Sequence, residues 1–183
     1  MSKDTGYTRP AIALHWMTAA LILCAFPLGV YMADLHLSPL KLQLFSYHKW
    51  LGVTIFLLVI IRLIWRAKNT PPALSSSIAV WQQRAAHGLH HLLYVLMFCI
   101  PLTGWLMSSA KGVPTVYLGL IQLPDLLSKD KALGHTLENV HATLNYLMLA
   151  LLVLHVAAAL KHHFIERDDT LARMLPFLHK ETN

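Results

Sequence analysis

Four apolar runs limit what this chain can fold into: residues 11–33, 45–66, 85–108 and 136–164. Each is long enough to carry a helix across a hydrocarbon core about 30 Å thick, which takes roughly 20 residues. In lipid the backbone must satisfy its own hydrogen bonds, so such runs are read as helices. The expected architecture is all-α: a four-helix transmembrane bundle in one domain spanning residues 1–183. Charged residues make up only 13% of the chain, against about 25% in soluble domains. Pro10 suits the first turn of the first helix. Pro27 predicts a kink that neighbouring helices repair, and Pro101 and Gly104 lie within the third run. The first run carries His15 and Trp16 at its start and lacks a small-x-small site before a soluble domain. It is therefore read as a retained helix, not a cleaved leader.

Lys and Arg set the orientation. Lys3, Arg9, Arg62, Arg66, Lys68, Arg84, Lys161, Arg167, Arg173 and Lys180 fall on one side. Lys41, Lys49, Lys111, Lys129 and Lys131 fall on the other. The heavier side is expected in the cytoplasm with both termini and the loop at 69–77; the loop at 111–131 then faces the outside, which in a bacterial inner membrane would be the periplasm. These basic residues flank apolar helices and form no stripe, which argues against nucleic acid. Cys24 and Cys99 lie within apolar runs, so neither a disulfide nor a thiol metal site is expected, and the absence of C-x-x-C-H excludes c-type haem attachment.

Among twelve histidines, His141 and His155 stand fourteen residues apart in one apolar run. Fourteen residues is close to four helical turns, so both rings share one side of the helix, about 21 Å apart. Two inward imidazoles at two depths suggest two stacked metal centres, most plausibly haems held between helices. Topology supplies partners at matching depth: His15 with His155 on the cytoplasmic side, and His48 with His141 on the periplasmic side. Two neutral imidazoles on opposite sides of an iron give a b-type centre suited to electron transfer. Histidines can instead bridge helices by hydrogen bonds, or bind zinc or copper, for which few carboxylates or thiols are nearby. His87, His90 and His91 open the third run at the level of His15 and His155. They are rival ligands, propionate contacts, or part of a proton or quinone site. His135 competes with His141, while His36 and His179 are read as solvated. Arg62 and Arg66, one turn apart, either snorkel to headgroups or pair with haem propionates. Trp16, Trp50, Trp65, Trp81 and Trp105 are read as an interfacial aromatic belt.

The motifs A-L-H-W at His15, H-K-W-L-G-V at His48, A-A-H-G-L-H-H-L-L-Y at 85–94 and N-V-H-A-T-L-N-Y around His141 resemble the prokaryotic cytochrome b561 family. So does L-H-V-A-A-A-L-K-H-H-F-I-E-R-D-D-T-L-A-R-M-L-P at 154–176, the most specific of them. The resemblance covers nearly the whole chain. It implies a four-helix bundle with two haem b groups, often dimeric, so a homodimer is a possible partner state. The implied ligands are His15 and His155 for the inner haem, and His48 and His141 for the outer one. It also implies a ubiquinone site at the cytoplasmic end, where the match falls on the H-H pair and His162 is the chosen contact. The outer loop matches less well than the helices do.

The expected function is an oxidoreductase that takes an electron from superoxide outside, passes it from the outer to the inner haem, and reduces ubiquinone at the cytoplasmic side. Lys41, Lys49, Lys111, Lys129 and Lys131 would attract the anionic donor, or merely flank helices. The alternative is a non-catalytic electron-relay anchor for a partner dehydrogenase or hydrogenase. A weaker reading is a structural or transport bundle without haem.

Overall fold

The computed structural model describes residues 6–72 and 78–178. Lys3, Lys180, His179 and residues 73–77 of the expected cytoplasmic loop lie outside the described residues. Four helices are long and apolar enough to span a membrane: α1 Arg9–Asp34, α2 Pro39–Lys68, α3 Val80–Ala110 and α4 Lys131–Lys161. The α1 and α3 helices run without interruption past Pro27 and Pro101.

Each helix starts earlier than its apolar run, because hydropathy marks the lipid-facing stretch while caps mark the helix end. Thr8 caps α1, its hydroxyl accepting from Ala11 N at 3.4 Å, with Pro10 in the first turn. Ser38 caps α2 by accepting from Lys41 N at 3.2 Å, and Pro39 fills the first helical position. At the start of α3, Gln82 Oε1 accepts from Ala79 N at 3.2 Å. Asp130 caps α4, with Oδ1 accepting from Leu133 N at 3.0 Å. Its own N–H donates to Ala110 O at 2.9 Å, tying the loop between α3 and α4 to the end of α3.

That loop contains a short antiparallel pair, β1 Val116–Tyr117 and β2 Ile121–Gln122, in register Tyr117 opposite Ile121. Leu118 and Gly119 turn it with φ of 53° and 72°, the left-handed pairing that tight hairpin turns require. The hairpin is absent from the all-helical expectation because its strands are too short for any alternation to show.

Close packing joins α1 to α2, α2 to α3, and α3 to α4. No extended backbone packing joins α4 to α1 or α2; they meet through side chains, such as Phe26 and Tyr146 with ring centres 6.0 Å apart. The dry centre is small: Ala25, Ile55, Val59, Leu93, Leu96, Met97 and Met148. Large apolar side chains such as Leu23 and Val153 face outward. This suits a helix bundle in lipid, where association depends on packing and polar contacts between helices and not on apolar burial. Both cysteines are free.

Four of the five tryptophans tie the bundle together through the indole N–H. Trp16 donates to Met174 O at 2.9 Å, Trp50 to Val116 O at 2.7 Å, Trp65 to Thr8 Oγ1 at 2.9 Å, and Trp105 to Pro124 O at 3.1 Å. The belt reading therefore needs an addition: these rings also anchor loops and tails to the helix ends.

Asp130→Ala removes the side-chain cap of the following helix and keeps the backbone tie to Ala110. It is expected to destabilise the protein by about 1 kcal/mol, seen as a lower midpoint in thermal unfolding followed by tryptophan fluorescence. An unchanged midpoint would show that the α4 start is held by the bundle alone.

Candidate functional site

The histidines gather at two levels. At the end that carries the termini, His15 of α1 faces His155 of α4 with ring centres 6.3 Å apart. At the opposite end, His48 of α2 faces His141 of α4, also with centres 6.3 Å apart. All four rings are half-buried and lie where α4 meets α1 and α2 through side chains only.

The pair at the loop end is tightly seated. His141 Nδ1 lies 3.0 Å from Ile100 O and 3.2 Å from Thr103 Oγ1. The Thr103 hydroxyl gives its hydrogen to Ile100 O at 2.8 Å, so it meets the imidazole as an acceptor. Nδ1 therefore carries the proton, and Nε2 is left with its lone pair. His48 Nδ1 is buried without a hydrogen-bond partner, the one such side-chain atom among the described residues. Leaving a polar atom in that state costs about 1–3 kcal/mol. Two glycines make room for these rings. A Cβ on Gly29 of α1 would stand 3.0 Å from His48 Cε1, and one on Gly104 of α3 would stand 3.1 Å from His141 Cε1.

The pair at the terminal end sits in a polar cluster. Arg62 of α2 donates to His15 Nδ1 at 2.9 Å. Arg62 and Arg66 both stack on the Tyr94 ring, at 5.1 and 5.6 Å. Tyr7 joins them ahead of α1: burial pushes its phenol above the ordinary value, while Arg66, Arg173 and Arg62 pull the other way. His90 of α3 stands 5.3 Å from His155, closer than His15 does.

The remaining histidines separate. His87 is exposed, its carbonyl accepting from His91 Nδ1 at 2.7 Å. His91, with Arg66 and Tyr94, lines an open, mostly apolar groove of about 370 Å³ between α2 and α3. His135 is exposed and pairs with Glu138 at 3.4 Å, and His36 is exposed. His162 lies just beyond α4, its Nδ1 2.7 Å from Asp168 Oδ2 and 2.6 Å from Glu166 Oε2. Burial alone would raise the Asp168 carboxyl; hydrogen bonds from Thr170 and His162 more than offset it and hold the group below its usual range.

The lysines at the loop end are largely occupied. Lys41 Nζ caps Ala33 O at 3.1 Å, Lys49 Nζ holds Val113 O and Pro114 O, and Lys111 pairs with Glu138 at 2.8 Å. Sequence reasoning missed Gly29, Thr103, Tyr94, Glu166 and Asp168. Glycine inside an apolar helix was the available signal for Gly29, since it gives up helix propensity for closeness.

Donor chemistry and geometry fit a haem at each level. With a metal–nitrogen bond of about 2 Å and a nitrogen about 1.1 Å from the ring centre, two imidazoles on opposite sides of one iron have centres roughly 6.2 Å apart. The glycine seats, which hold the His48 and His141 rings close against neighbouring helices, fit ligand-bound rings.

Comparison with known proteins agrees in kind. The family profile described as prokaryotic cytochrome b561 matches residues 6–177. Cytochrome b561 homolog 2 of Escherichia coli is 34% identical over 170 residues, covering 89% of this chain and 87% of that protein. The probable superoxide oxidase CybB of Yersinia pestis is 26% identical over 180 residues, covering 93% and 96%. Cytochrome b562 of Cereibacter sphaeroides is 27% identical over 187 residues, covering 96% and 98%.

Valine at Gly29 or Gly104 is expected to push the facing imidazole aside and lower the haem bound per chain, measured by pyridine haemochrome. Valine at Gly52, where a Cβ meets nothing within 4 Å, is the control and should bind haem as the parent does. Equal haem content in all three would refute the seating role.

Proposed function

The chain belongs to the prokaryotic cytochrome b561 family of membrane b-type cytochromes that transfer electrons, and from that membership we propose that it oxidises superoxide at the periplasmic side of the inner membrane and reduces ubiquinone at the cytoplasmic side. The excess of Lys and Arg at the end of the bundle that carries the termini supports a cytoplasmic position for that end.

His48 and His141 would hold the outer haem b, and His15 and His155 the inner one. The observation that carries this is the shared 6.3 Å separation of both pairs, each of which has its depth match built in. His90, at 5.3 Å from His155, is too near to take the opposite side of the same iron; it fits better as a neighbour of the inner haem. A bound haem would supply one-electron chemistry, and with two histidines holding it, electron transfer would be favoured over oxygen binding.

This chain's residues set the conditions for that chemistry. The carbonyl of Ile100 and the Thr103 oxygen hold His141 in the tautomer that presents Nε2 inward. For His15 to ligate through Nε2, its proton must move to Nδ1, and Arg62 must then leave that nitrogen. The guanidinium so released would be free to pair with a haem propionate, a bidentate partner that it prefers. Arg66 would add a second positive charge for the other carboxylate, with His90 beside it as a polar ring. His87, exposed and turned away, is the weakest of the proposed propionate contacts. His162 is the proposed quinone contact. At the outer end, Lys41 and Lys49 hold backbone carbonyls; Asp125 acts on the Lys49 charge, which leaves Lys41 as the better attractor of an anionic donor.

The test is twofold. The purified protein is expected to carry two haems per chain, with one lost in His141→Ala and one in His15→Ala, while His90→Ala keeps both. Pulse-generated superoxide should reduce the haems faster than spontaneous dismutation consumes it, and added ubiquinone-1 should reoxidise them. Haems that ignore superoxide but accept electrons from a co-purified dehydrogenase would replace the superoxide reading with the relay.

A further inference from the structure

Beyond Lys161 the last helix does not simply fray. It widens into a π turn over His162–Glu166 and stops at Arg167, which is left-handed at φ 55° and ψ 34°. The N–H groups of Arg167 and Asp168 both return to His162 O. This reversal brings Asp168 back against the ring it has just passed. His162 Nδ1 then lies between two carboxylates, Asp168 Oδ2 at 2.7 Å and Glu166 Oε2 at 2.6 Å.

Each carboxylate is held from its other side. Asp168 Oδ1 accepts from Thr170 N at 2.8 Å. Glu166 Oε1 accepts from Lys161 Nζ at 2.6 Å and from Gln82 Nε2 of α3 at 3.3 Å. Ionised carboxylates only accept, so the nitrogen between them must carry a proton. The ring's other nitrogen, Nε2, has no hydrogen-bond partner among the described residues, and the side chain is 16% exposed.

We propose that Asp168 and Glu166 are positioning residues that lock His162 with its proton on Nδ1 and reserve Nε2 for handing a proton to the quinone. This rests on the reading of His162 as the quinone contact. The quinone takes two electrons, arriving one at a time through the bundle from the outer donor, and two protons. For one of these protons, the Nε2–H bond of the doubly protonated ring breaks and an O–H bond forms at a quinone carbonyl oxygen. The ring is left neutral with its proton on Nδ1, the only form the carboxylates accept. Water on the same side returns a proton to Nε2 and supplies the second proton to the other carbonyl oxygen. The groups facing the ring are Asp168 and Glu166; Lys161 and the neutral Gln82 act through Glu166.

The same three side chains offer ligand atoms within 4.8 Å of one another, so the test must also answer for a cation. Haem-loaded, pre-reduced protein is mixed with ubiquinone-1, and reoxidation is followed in the reduced haem absorption. Asp168→Asn can turn its amide toward Nδ1 and permit the other tautomer. Its maximal rate is expected to fall at least about tenfold, in line with loss of a positioned proton donor, with little change in the half-saturating ubiquinone-1. Asp168→Glu should recover most of the rate, and Glu166→Gln should show a smaller loss of the same kind. Haem content and the reduced spectrum should match the parent, and prior chelation with EDTA should change nothing. If Asp168→Asn and Glu166→Gln both react like the parent while His162→Ala is slow, this inference fails and the quinone contact stands. If His162→Ala also reacts like the parent, the quinone contact itself fails. A change in half-saturation alone, or loss of rate on chelation, would overturn the positioning role in favour of a structural or metal-binding one.

Discussion

The bundle depends on how α4 is held across from α1 and α2. Water drives apolar helices together; lipid does not, so helices in a bilayer are fixed by close packing and by polar contacts. Here α4 has the first with α3 and lacks it with α1 and α2. What spans that side are aromatic and imidazole rings: Phe26 with Tyr146, His15 with His155, and His48 with His141. Polar rings at a seam inside a membrane are costly unless something meets them. A metal taken from both sides would satisfy them and close the seam together, which makes cofactor binding and assembly of the bundle a single event in energetic terms.

The two levels differ in kind. The loop-end pair is enclosed by backbone and small residues: Gly29, Gly104, Ile100 O and Thr103. Among the described residues no cationic side chain hydrogen-bonds to either ring there. The terminal-end pair is surrounded by Arg62, Arg66, Tyr94, Tyr7 and His90. A fixed positive charge beside a centre favours the form that has gained an electron. With a haem at each level, the uneven distribution of guanidinium groups would favour the reduced form at the end with the termini, to the extent that bound carboxylates leave their charge unbalanced. Tyr94 holds both arginines in place by stacking, so its role is to organise charge without carrying any.

Hydropathy was enough to reveal four helices, because runs such as 136–164 have no soluble explanation. It misplaced their starts by several residues. Ser38-Pro39 and Asp130 are capping signals lying in polar sequence that a hydropathy window discounts. The depth matching of His15 with His155 and His48 with His141 followed from topology and helical rise alone. What surrounds those rings did not follow. Gly29 and Gly104 look like any glycine in an apolar helix until a second helix is brought against them. Asp168 approaches His162 only because a π turn and a left-handed Arg167 reverse the chain, and neither is encoded by a periodicity. Local patterns thus carry the elements, while contacts between elements require the folded chain.

The fourteen-residue interval places a particular demand on α4. This helix alone supplies a ring at both levels, whereas α1 and α2 supply one each. A bend or a slip within α1 could be absorbed at its single site; within α4 it would separate the two levels from each other. The stretch between His141 and His155 accordingly contains neither proline nor glycine, while α1 runs through Pro27 and α3 through Pro101. One inserted residue would rotate everything beyond it by about 100° and turn one ring out of the seam. Within the interval the Asn145 amide bonds back to His141 O at 2.7 Å, which keeps it on its own helix. The α4 helix therefore acts as an uninterrupted ruler about 21 Å long between its two imidazoles, and its own irregularity lies in the segment after Lys161.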